Sequence, residues 1–130
     1  MPKLIHTMIR VTDLARSTAF YGKAFGLAES HRLEFPTFTL LYLREPESGF
    51  EIELTLNQGQ TEPYTHGSGY GHLAFCVDDL AEHRTRIQAM GDVAGEIKEL
   101  PAPAARARFY FLTDPDGYKI EVLERAGHYV

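Results

Sequence analysis

Two histidines and two glutamates occupy matching places in the two halves of the chain. His6 opens HTMIRVTDLA at 6–15, and His72 opens HLAFCVDDLA at 72–81, which keeps the Val five residues on and the Asp-Leu-Ala that follows. Glu53 lies in EIELTL at 51–56 and Glu121 in KIEVLE at 119–124. A twofold-like arrangement of such halves gathers two imidazoles and two carboxylates. Mixed N and O donors suit Zn, Ni, Co, Mn or Fe, and the lack of thiolates argues against a closed structural zinc site. Taken singly, each residue has an ordinary alternative. A strand histidine is commonly packed or at the surface, and Glu51, Glu53 and Thr55 alternate as any solvated strand face would. Recurrence at both repeat positions favours the ligand set His6, Glu53, His72 and Glu121.

Other polar side chains separate less sharply. Arg10 lies four residues after His6, so strand periodicity turns it to the same face, where it could meet an anionic group or simply be a surface arginine. Cys76 holds the equivalent place after His72, and its apolar neighbours favour a buried, unreactive thiol. His31, His66, His83 and His128 have no repeat partner, and His83, between Glu82 and Arg84, is expected to be solvated.

These residues must be positioned by strands and helices whose order repeats. The expected fold class is α+β, with two tandem βαβββ modules at about 1–60 and 68–130 forming a single domain. In the first module a strand at 4–11 precedes a helix capped by Asp13, carrying Leu14, Thr18, Tyr21 and Phe25 at helical spacing and closed by Gly26. Strands follow near 31–35, 37–44 and 50–56. In the second, a strand at 70–77 leads to a helix capped by Asp79 that bears Leu80, Ile87 and Met90, and then to strands near 94–99, 107–113 and 118–124. The sequence DPDG at 114–117 is a strong turn signal, and residues 57–71, rich in Gly, Thr and Ser, read as the link between modules.

Composition narrows the partners. Thirteen Lys and Arg against eighteen Asp and Glu give a formal charge of -5, which offers no basic face for nucleic acid. No run approaches the roughly 18 apolar residues of a membrane span, and the N-terminal residues lack signal-peptide character, so no membrane association and a cytoplasmic location are expected. A single cysteine forms no internal disulfide.

Taken together, HTMIRVTDLARSTAFY, EIELTLNQG, GYGHLAFCVDD and DPDGYKIEVLE resemble glyoxalase I, the lactoylglutathione lyases of the vicinal oxygen chelate superfamily, and the resemblance runs essentially end to end. It implies paired βαβββ modules and a homodimer whose active sites lie at the subunit interface, with His6 and Glu53 from one chain and His72 and Glu121 from the other. It further implies isomerisation of the hemithioacetal of methylglyoxal and glutathione to S-lactoylglutathione, with Glu121 as catalytic base and Glu53 in the mirror role for the other epimer. Arg10 and Asn57 match family positions that contact glutathione. The short chain resembles the subgroup that prefers Ni or Co over Zn. The family's lysine- and glycine-rich loop is replaced here by ELPAPAARARF at 99–109, in which Arg106 or Arg108 could take over a carboxylate. Other members of the superfamily, namely ring-cleaving dioxygenases, thiol transferases and epimerases, usually lack one of the four ligands, and metal-free drug-binding resistance proteins generally lack the set.

Overall fold

Asp13 and Asp79 each stand in extended backbone and accept a hydrogen bond from the amide three residues on, Arg16 N at 2.9 Å and Glu82 N at 3.0 Å. These caps start helices α1 (Leu14–Phe25) and α2 (Leu80–Ala89) where the sequence places them. Gly26 ends α1 with φ 72°, a left-handed conformation that favours glycine, and Gly91 at φ 85° follows Met90 at the end of α2. The structure is a computed structural model that describes residues 1–100 and 107–130. The chain divides into two compact units, Met1–Thr65 and His66–Val130.

In the first unit, strands β1 (His6–Arg10), β2 (Ala28–Glu34), β3 (Phe38–Arg44) and β4 (Glu51–Asn57) form one sheet in the order β1-β4-β3-β2. The first and last strands pair in parallel, and β4-β3-β2 is an antiparallel meander. The second unit repeats this with β5 (Leu73–Val77), β6 (Lys98–Glu99), β7 (Arg108–Thr113) and β8 (Lys119–Glu124) in the order β5-β8-β7-β6. Each unit is therefore a βαβββ module, and the fold is α+β as the sequence predicts. The expected strand near 94–99 is reduced to the two residues of β6 and an isolated bridge between Ala94 and Leu112.

Period-two alternation sorts each sheet into two faces. In the first unit Ile9, Val11, Leu41, Leu43, Ile52 and Leu54 are buried on one face. The buried stripe of α1 is Ser17, Phe20, Tyr21 and Ala24, so the stripe inferred from the sequence is rotated: Tyr21 belongs to it, whereas Leu14, Thr18 and Phe25 are half-buried at its margins. In the second unit Tyr110, Leu112, Ile120 and Val122 form the buried face.

His83 corrects the expectation of a solvated side chain. It is 4% exposed, and its Nδ1 lies 2.6 Å from the Tyr110 hydroxyl. Leu80, His83 and Ile87 sit at i, i+3 and i+7 and share the buried stripe of α2, while Glu82 is exposed and Arg84 Nε donates to the Gly95 carbonyl at 2.6 Å. Burial raises the Tyr110 hydroxyl's pKa well above the ordinary phenol value, so it stays protonated and can donate to the imidazole. Tyr110→Phe removes the partner of a buried ring nitrogen, and a loss of about 1–3 kcal/mol is expected. It should appear as a lower urea midpoint with an unchanged m-value, and a midpoint equal to wild type would contradict it.

Candidate metal centre

The parallel register of β1 on β4 sets His6 beside Glu51 and Met8 beside Glu53. Because Ile9, Ile52 and Leu54 are committed to the buried face, His6, Arg10, Glu53 and Asn57 emerge together on the other. His6 Nε2 lies 3.4 Å from Glu53 Oε2, with side-chain exposures of 33% and 13%. Two residues separated by most of the module thus present one nitrogen and one carboxylate at the same spot.

The second unit builds the same pair. His72 immediately precedes β5, Ala74 stands beside Glu121 in register, and His72 Nε2 lies 3.6 Å from Glu121 Oε1. A tight turn supports the strand that carries Glu121. Asp114 is buried and its Oδ1 accepts from the amides of Asp116 and Tyr118, both at 2.9 Å, while Gly117 adopts φ 90°. The segment leading to His72 is pinned to that hairpin. The His66 ring stacks on Tyr118 with centroids 4.2 Å apart, and Tyr70 Oη donates to the Lys119 carbonyl at 3.1 Å.

Across the sheet from each glutamate stands an aromatic residue. Tyr42 on β3 is opposite Glu53, and Phe111 on β7 is opposite Glu121. Each ring meets the histidine of its own pair edge to face, His6 and Tyr42 at 5.7 Å and His72 and Phe111 at 5.3 Å. The Glu53 carboxylate facing it is the main reason the Tyr42 hydroxyl's pKa is pushed up to about 12. Strand register was the signal that could have found Tyr42, since it and Phe111 lie on equivalent strands of the repeat.

Neighbouring groups are already engaged. Glu51, on the face of Glu53, accepts from the Ser30 hydroxyl and pairs with Arg44 Nε at 3.4 Å, so it is an anchored carboxylate rather than a solvated one. Thr55 on the same face is buried. Asn57 Nδ2 donates to the Tyr64 hydroxyl at 3.2 Å. Beside Asn57 an open cleft of about 310 Å³ is lined by Phe35, Pro36, Phe38, Leu56, Glu34 and Gln58, with the Phe35 and Phe38 rings stacked at 4.6 Å. Cys76 is half-buried, not enclosed. Arg108 turns to the face of Tyr110 and Leu112, opposite that of Glu121, and its Nη1 lies 2.8 Å from Glu124 Oε2. It is thereby removed as a substrate clamp, and Arg106 lies outside the described residues.

Among the described residues no group of three or more His, Cys, Asp or Glu side chains comes together to hold a metal. Each unit thus presents one His–Glu pair. Its donor chemistry, one neutral-capable imidazole and one carboxylate with oxygen and nitrogen within 3.6 Å, suits a hard to borderline divalent ion.

Comparison with known proteins agrees with this geometry. The sequence profile of the Glyoxalase/Bleomycin resistance protein/Dioxygenase superfamily matches residues 3–122. Lactoylglutathione lyase of Haemophilus influenzae is 40% identical over 127 residues, covering 94% of this chain and 92% of the relative. The Salmonella typhimurium protein of the same name is 41% identical over 128 residues, with 94% and 92% covered. Among solved structures, the trypanothione-dependent glyoxalase I of Leishmania major superimposes with a TM-score of 0.79 at 34% identity, covering 95% of this chain and 87% of that one. Glyoxalase I from Zea mays gives a TM-score of 0.78 at 30% identity, where 96% of this chain matches 45% of the larger one. With both modules and nearly every residue accounted for, the chain belongs to the Glyoxalase/Bleomycin resistance protein/Dioxygenase superfamily.

Proposed function

We propose that this chain is a metal-dependent lactoylglutathione lyase, which isomerises the hemithioacetal of methylglyoxal and glutathione to S-lactoylglutathione. The observation that carries this is the recurrence of one His–Glu pair on equivalent strands of both modules, in a chain 40% identical to a protein of that name. His6, Glu53, His72 and Glu121 together would supply two nitrogens and two carboxylate oxygens to a divalent ion, a donor set that suits Ni, Co or Zn. Neither pair suffices alone, and the site is completed at the interface of a homodimer, with His6 and Glu53 from one protomer and the second pair from the other. Ni or Co is the preferred ion over Zn, and the enzyme works in the cytoplasm.

When bound, the divalent ion stabilises the negative charge that develops on the two adjacent substrate oxygens as a proton leaves. The protein's own task is to move protons between two neighbouring carbons. Glu121 takes the proton from the carbon bearing sulfur and delivers it to the adjacent carbonyl carbon, while the hydroxyl proton passes between the two oxygens. One C–H bond breaks and one forms, the carbonyl changes place, and no oxidant is required. Glu53 holds the mirror role for the other hemithioacetal epimer. Arg10 and Asn57, on the face of His6 and Glu53, are suited to a carboxylate and an amide of glutathione.

Three experiments test this. Glu121→Gln keeps an oxygen that can coordinate but removes the base, so bound metal should fall modestly while turnover drops by roughly 10²- to 10⁴-fold. Glu51→Gln, whose carboxylate serves Ser30 and Arg44, should keep its metal and most activity. Near wild-type turnover in the first variant, or equal damage in the second, contradicts the assignment. Metal-stripped protein reloaded with Ni or Co should exceed the Zn-loaded form, and highest activity with Zn would reverse that preference. Mixing inactive His6→Ala and His72→Ala chains, under conditions where protomers exchange, should restore activity through mixed dimers that hold one intact site. No recovery on exchange would show that sites are not shared.

A further inference from the structure

In the first module the pairing of β1 with β4 begins at His6 itself, opposite Glu51, and the Glu51 amide donates to the Ile5 carbonyl at 3.1 Å. In the second, the pairing of β5 with β8 begins one place later, at Leu73 opposite Ile120, so His72 stands just outside its strand. Lys119 is the repeat equivalent of Glu51. There a side chain stands in for the ladder: the Tyr70 hydroxyl donates to the Lys119 carbonyl at 3.1 Å. The approach to His72 runs through GSGYG at 67–71, a glycine-rich stretch with little stiffness of its own. Ring packing supplies it. The His66 and Tyr118 rings stack at 4.2 Å and 13°, and Tyr70 meets both, Tyr118 at 5.4 Å and His66 at 5.7 Å. Tyr118 is buried and follows Gly117, where an added Cβ would lie 3.2 Å from the His66 ring. His66 Nε2 is buried without a hydrogen-bond partner among the described residues, so that edge of the ring serves by packing.

We propose that Tyr70 is a positioning residue for His72: its hydroxyl, held by the His66 and Tyr118 rings, fastens the glycine-rich approach to β8 and so sets the imidazole beside Glu121. Lys119 lies two residues before Glu121, so the bond to its carbonyl ties the histidine to the strand of its own carboxylate. Tyr70 acts through His72 and takes no part in moving the proton. Without the bond, rotation about the backbone of Gly71 carries His72 Nε2 away from Glu121 Oε1, which it approaches to 3.6 Å. The first module needs no such fastening, because His6 is already a member of its strand. This inference rests on the function proposed above and names what holds one of its ligands in place.

Two substitutions in this module each remove one hydroxyl and no ring. Tyr70→Phe deletes the donor to Lys119, and Tyr110→Phe deletes the partner of His83 on the opposite face of the sheet. With both variants folded by circular dichroism, Tyr70→Phe should weaken cobalt binding about tenfold or more in chelator competition, the cost that loss of support for a metal ligand commonly carries. Tyr110→Phe should bind cobalt as wild type does, whatever its urea midpoint. In metal-free protein, the NMR signals of the His72 ring, identified by their loss in His72→Ala, should shift or broaden in Tyr70→Phe while those of His6 stay. His66→Ala should weaken binding as well, and His66→Phe, which restores a ring to the stack, should recover it. Wild-type cobalt affinity and unmoved His72 signals in Tyr70→Phe, or equal weakening in Tyr110→Phe, would overturn the role of Tyr70 and leave the function standing. If wild type neither binds cobalt nor isomerises the hemithioacetal, the function falls, and the metal-free signals still decide whether Tyr70 places His72.

Discussion

Parallel pairing of the first and last strands of each module is the interaction on which the rest depends. It brings His6 beside Glu51 and Leu73 beside Ile120, and nothing more local could unite His6 with Glu53 or His72 with Glu121. A parallel pair requires a crossover, and here α1 and α2 supply it before each meander returns. The register is enforced by burial. Moving β4 by one residue would turn Ile52 and Leu54 toward the open face and Glu51 and Glu53 into the apolar one, so the core that stabilises the module also aims Glu53 at His6. Site and fold are in this sense one constraint.

Much of this is legible in the sequence because the chain carries its own comparison. The repeated His, Asp-Leu-Ala and Glu positions locate equivalent strands and helices, and the caps at Asp13, Asp79 and Gly26 stand where local chemistry puts them. The failures share a different physical origin. His83 reads as solvated from its charged neighbours in sequence, whereas its neighbours in space are set by the helical period that links Leu80, His83 and Ile87. The stripe of α1 is rotated because Ser17 and Ala24, small rather than strongly apolar, fit close against the sheet. Arg108 could not be oriented without the pairing of β7 on β8, which turns it to Glu124. Tyr42 is placed by the same kind of information, since only the pairing of β3 on β4 sets it opposite Glu53.

The two pairs are built alike. Each imidazole meets an aromatic edge and each carboxylate lies half-sheltered beside it, so the geometry of each pair is held by strands and their ends. A fold alone does not fix chemistry, and members of one superfamily perform unlike reactions. In this chain a His–Glu pair stands in both modules, and relatives of 40% and 41% identity carry the name lactoylglutathione lyase.

The claim that both pairs serve one ion is tested most directly by counting. Wild-type protein and the His6→Ala and His72→Ala variants would each be titrated with cobalt, following stoichiometry and the visible spectrum of the bound ion. The expected result is one ion per chain in wild type and loss of tight binding in either variant, because each removes a ligand from the same set. Two ions per chain in wild type, with one tight site surviving in each variant, would show that the pairs bind separately and would contradict it.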